Sequence, residues 1–126
     1  MKMERIYEPE GWCILKVEPP GQPHFYQVFG SWVGGFADPD KWRLSSGADD
    51  LDSTFMEGDI CVFPQSSGSI YHLALIAHKQ HNFYAQGVLN HLIEQQTDSA
   101  LGARVSIIDL ETQDGRIKVP FKEVES

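Results

Sequence analysis

Two cysteines, five histidines and a run of acids are the side chains in this 126-residue chain whose types could support covalent or metal chemistry. His78 and His81 stand three apart, with His91 further along. A zinc site needs three or four convergent ligands, usually in paired clusters. The chain has no Cys-x-x-Cys and no His-Glu-x-x-His, so these histidines read as surface residues at a strand-to-helix junction, and no metal is expected. Asp49, Asp50, Asp52, Glu57 and Asp59 form an acidic cluster without a base among them. Calcium loops place oxygen ligands at alternate positions around a central glycine and close with a glutamate. Asp50, Asp52 and Thr54 match the first spacing, but Phe55 stands where the glycine is required and Cys61 where the glutamate is. The calcium reading fails. The glycine-rich residues 30–36 contain no lysine and lack the spacing of a phosphate-binding loop. Their glycines let the backbone turn beside Trp32 and Phe36, which are either core or a contact patch. No cofactor is implied.

Gly58-Asp59-Ile60-Cys61-Val62-Phe63, followed by His72-Leu73-Ala74-Leu75-Ile76, resembles the strand pair of papain-fold peptidoglycan peptidases and amidases. The resemblance covers about a quarter of the chain. It implies a cysteine hydrolase in which His72 leads the second strand and acts as base, with Cys13 as the upstream nucleophile. In that family the cysteine sits at a helix N-terminus, where the dipole and unpaired amides lower its pKa. Cys13 instead lies in Trp12-Cys13-Ile14-Leu15, which reads as a strand and runs into Pro19-Pro20. No helix fits between it and the next strand. Residues 25–47 also resemble stretches in short proteins of bacteria and their phages, a likeness that implies no activity.

The charge balance narrows the partners. Ten basic residues face eighteen acidic ones, a formal net charge of −8. Nucleic-acid binding rests on Lys and Arg neutralising phosphates, so direct contact with DNA or RNA is not expected. The surplus suits a protein partner with a basic surface, or solubility alone. Only two cysteines, a mixed polar start with no apolar leader, and no apolar run approaching the roughly 20 residues of a membrane span point to a soluble, cytoplasmic chain with reduced thiols. Its length suits one domain over residues 1–126.

Short apolar runs bounded by Gly and Pro predict strands over residues 12–17, 24–33, 41–45, 59–63, 69–76, 103–110 and 116–121. Residues 24–33 are apolar on both alternating faces, which predicts a strand covered on both sides. In residues 41–45, Trp42 and Leu44 are expected inward, with Lys41 and Arg43 outward. Residues 46–58 read as an acidic loop. At Tyr84, Val88 and Leu92, beside Ala85, Leu89 and Ile93, the spacing becomes helical and predicts a helix over residues 82–96 with Asn82 as N-cap. Asp114-Gly115 predicts a tight hairpin turn between the last two strands.

The expected architecture is α+β: a mainly antiparallel sheet or partly open barrel of six or seven strands with one packed helix. The expected function is macromolecular binding rather than catalysis, in the manner of inhibitors, immunity proteins and phage anti-defence factors; the alternatives are a cysteine hydrolase using Cys13 and His72 and a small-ligand binding module with a pocket under the helix. The expected contact is the acidic set Asp49, Asp50, Asp52, Glu57 and Asp59, helped by Trp32, Phe36 and Trp42.

Overall fold

In the computed structural model, residues 5–34, 40–97 and 102–124 are described. Apolar runs stopped by Gly, Pro and Asp become ten short strands, and the segment with helical spacing becomes one α-helix among the described residues. In chain order these are β1 (Ile6–Tyr7), β2 (Gly11–Glu18), β3 (Phe25–Trp32), β4 (Lys41–Leu44), β5 (Phe55–Glu57), β6 (Ile60–Pro64), β7 (Ile70–Ala74), α1 (Phe83–Thr97), β8 (Arg104–Ile107), β9 (Thr112–Gln113) and β10 (Arg116–Ile117), with a 3-10 turn at Leu75–Ala77. The class is α+β, as expected. The strands are more numerous than expected because four of them are only two or three residues long.

Two four-stranded sheets form, in the orders β1-β7-β6-β5 and β4-β3-β2-β8, beside the small ribbon β9-β10. Every named pairing is antiparallel except β1 with β7. An isolated bridge between Trp12 and His78 ties the start of β2 to the chain leaving β7, without closing the sheets into a barrel.

The alternation of β2 dictates the layering, because successive side chains of a strand point to opposite faces. Trp12 and Ile14, with Tyr26 and Val28 of β3, pack against Cys61, Phe63, Tyr71 and Leu73 of the first sheet. Cys13, Leu15 and Val17, with Phe29 and Val105, pack instead against Ala85 and Leu89 of α1. The second sheet is therefore the middle of three layers, and β3 is covered on both faces as its sequence predicts. Each fully buried large side chain in these cores contributes about 2 kcal/mol of transfer free energy.

Helix α1 begins where the Asn82 side chain accepts a hydrogen bond from the Ala85 amide at 2.8 Å, the expected N-cap. Ala85 and Leu89 form its buried row, and Val88, Leu92 and Ile93 flank it. Tyr84 and Phe83 lie outside that row and are exposed. Gly87 has open space where a β-carbon would be.

Two expectations change in detail. The Asp114-Gly115 turn forms with both residues at positive φ, 54° and 79°, but it joins β9 to β10, whereas β8 leaves to pair with β2. Antiparallel bonding then continues beyond the ribbon, through Glu111 to Lys118 and Lys122 and the Leu110–Glu123 bridge. Pro120, which has no amide hydrogen to donate, lies in the interruption. In β4, Trp42 is 39% exposed although it stacks on Phe29, and Arg43 lies with its guanidinium 4.4 Å above the Tyr7 ring. Because β4 is an edge strand, neither of its faces is fully covered.

Candidate functional site

Cys13 sits in the middle of β2 with 1% of its surface exposed, pressed against α1. Burial pushes its thiol up to about 12, so at neutral pH it is not a nucleophilic thiolate. His72 sits in β7 between Tyr71 and Leu73, both of which face the core between the sheets. Alternation puts His72 on the opposite face, where its Nδ1 lies 3.4 Å from a carboxylate oxygen of Glu8. The inter-sheet core thus separates Cys13 from His72. The pairing implied by the papain-fold resemblance is not assembled, because each residue belongs to an outward face of a different sheet. Cys61 is also a free, buried thiol.

The acidic residues are placed differently. Asp49, Asp50, Asp52, Glu57 and Asp59 are all exposed. Their loop is held at defined points. Ala48 exchanges two backbone bonds of 2.8 Å with Tyr26, Leu51 is buried in the inter-sheet core, and the Thr54 hydroxyl donates to Leu51 O at 2.7 Å. The Thr54 hydroxyl oxygen in turn accepts from the Phe121 amide at 2.8 Å. The Asp50 side chain accepts from the Asp52 amide at 3.0 Å and fixes the bend between them. Among the described residues, none of the five carboxylates is ion-paired. From Leu44 to His78 the chain has no Lys or Arg to pair with them.

Part of this segment is strand β5, which reading residues 46–58 as a loop misses. It is the edge of the first sheet, and Phe55 and Met56 are 49% and 41% exposed. Glu57 ends it and Asp59 follows the Gly58 turn, whose φ is 64°. An exposed edge strand with apolar side chains is a template for pairing with another chain, and flanking charge suppresses aggregation there.

Trp32 and Trp42 do not join this surface. Trp32 is half-buried, its indole N–H donating to Glu8 O at 3.0 Å. Trp42 lies next to it across from Ser31. Tyr26, where the acidic loop docks, is six residues up β3, a separation of roughly 20 Å along a strand. The length of β3 therefore separates the tryptophans from the start of the acidic segment, at Asp49 and Asp50. Phe36 falls outside the described residues.

His78 and His81 are half-buried, contrary to the surface reading. His78 packs on Trp12 with ring centroids 4.7 Å apart, and burial, helped by Lys79, holds its pKa down to about 4. His81 meets Phe29 edge-on at 5.3 Å and places Nδ1 2.8 Å from Ser31 Oγ. Burial lowers its pKa too. Among the described residues no three His, Cys, Asp or Glu side chains converge as metal ligands. No helix among them is long and apolar enough to cross a membrane, which leaves β-barrels unaddressed. No protein-family model, no curated protein and no solved structure matches this chain.

Proposed function

We propose that this chain acts by binding a protein partner with a basic surface, and that the contact is the acidic edge of the first sheet rather than a catalytic centre. The observation that supports the reading is the exposed edge strand β5, with Phe55 and Met56 in a segment whose five carboxylates form no ion pair among the described residues. Apolar edge residues supply desolvated contact area, and unpaired charge around them supplies orientation and association rate. Inhibitors, immunity proteins and phage anti-defence factors work in this way, by covering a partner's surface without chemistry of their own. The elevated Cys13 pKa and its distance from His72 favour this reading over a hydrolase.

A photo-reactive methionine at position 56 tests it. Cross-linking in the native cell should capture one defined protein with a surplus of Lys and Arg at the cross-linked face. A chain carrying D49N, D50N, D52N, E57Q and D59N should lose that product. Cross-links that persist unchanged in the neutralised chain would sink the proposal.

A further inference from the structure

Helix α1 buries one row, Ala85 and Leu89, against the middle sheet, and its outer side carries rings rather than charge. Phe83 is fully exposed and Tyr84 is 51% exposed. Between Lys79 and Glu94 the chain has no Lys, Arg, Asp or Glu. Gly87 stands one turn after Phe83, on the same side of the helix. We propose that a second copy of this chain docks on the outer side of α1, antiparallel and centred on Gly87.

Glycine lowers the stability of a helix interior more than any residue but proline. Nothing within the chain calls for it at position 87. The backbone there is ordinary helix, and a β-carbon would meet open space. Glycine serves where a second backbone must come close. Helix axes pack about 8–10 Å apart according to the side chains at the crossing. An exposed glycine beside exposed rings therefore suits a second helix that crosses at Gly87 and is gripped by Phe83 and Tyr84. The two rings have roughly 300 Å² between them to bury, more than a third of the about 800 Å² per partner in a standard interface.

Charge points to a second copy as the occupant. Chains of net charge −8 repel one another, so they can meet only through a surface free of unmatched acids. The outer side of α1 meets that condition and the acidic edge does not. A two-fold axis at Gly87 sets residues equally far before and after it against each other. Phe83 of one copy then meets His91 of the other, and Tyr84 meets Asn90, a ring against an imidazole and a phenol against an amide. Glu94 falls opposite Gln80, which precedes the other helix. Helix α1 and the first sheet lie on opposite sides of the middle sheet. Dimerisation therefore leaves the acidic edge open on each copy, and the two contacts are separable.

The test is sedimentation equilibrium of the full chain, paired with amide chemical shifts followed on dilution. The native chain should form a reversible dimer, and the shifts that change on dilution should centre on residues 83–94. Gly87→Ala should weaken the dimer at least about tenfold. The same substitution should raise the thermal midpoint of the monomer, measured at concentrations too low for dimer, because alanine favours helix. A glycine kept for the fold's own sake would give the opposite sign. Phe83→Lys, at a fully exposed position, should abolish the dimer and leave the monomer's other amide shifts in place. The proposal is overturned if the native chain stays monomeric up to millimolar concentration or forms larger assemblies, or if dilution moves the amides of β5 instead. It is also overturned if Gly87→Ala or Phe83→Lys dimerises as the native chain does, or if Gly87→Ala lowers the monomer's midpoint.

Discussion

A β-carbon at Gly11 would lie 1.6 Å from the carbonyl oxygen of Gln80. The segment from His78 to His81 presses this closely on β2 because the Lys79 amide donates to Trp12 O at 2.6 Å, with Lys79 itself at φ 63°. Gly11→Ala must therefore push the segment away, and it should lower stability by about 3 kcal/mol in urea denaturation. His78 makes the same packing sensitive to acid. Its pKa is about 4 in the fold against 6.5 for an ordinary histidine, so between those values the unfolded chain binds a proton that the folded chain refuses. Stability should be full above pH 6.5 and fall as the pH drops towards 4, by up to about 3 kcal/mol. Urea midpoints at several pH values check this, and His78→Phe, which keeps the stacking on Trp12, should flatten the dependence. Cys13 should resist alkylation in the native state and react only on unfolding. The buried environment of Cys13 was legible from Trp12-Cys13-Ile14-Leu15, a run with no polar side. The half-burial of His78 and His81 was not, because it comes from Trp12 and Phe29, distant in sequence.

At the scale of elements, the strongest dependence is that of α1 on the outer face of β2. Leu89 lies at the centre of that contact with 1% of its surface exposed, so Leu89→Ala should cost about 3 kcal/mol. Asn82→Ala, which removes only the cap, should cost about 1 kcal/mol. A ratio near unity between the two would mean that the helix is held by its own turn rather than by packing. Strands β2, β3 and β6 and helix α1 were readable because their apolar periodicity extends over five or more residues. Strand β5 was not, because Phe55-Met56-Glu57 is short and buries neither face. The Asp114-Gly115 turn was readable from local chemistry, yet its partner strands were not, since β8 is drawn to β2 by Val105 packing beside Val17 under the helix.

At the scale of the molecule, charge and shape combine in a way that no local pattern reports. The sequence shows that five acids cluster and that tryptophans cluster. The length of β3 separates the tryptophans from Asp49 and Asp50, and Phe55 and Met56 stand exposed beside Glu57 on the edge strand β5. The proposed contact is this acidic edge against a basic protein surface. Exposed charges interact over a Debye length that shrinks from roughly 14 Å at about 50 mM salt to roughly 4 Å at about 500 mM. The most direct measurement is the affinity for the partner captured through position 56, determined across that salt range for the native chain and for the chain with all five carboxylates neutralised. The native affinity should fall at least about tenfold as salt rises, while the neutralised chain should bind weakly and be nearly indifferent to salt. An affinity that is flat in salt for the native chain, or equal in the two chains, would contradict it.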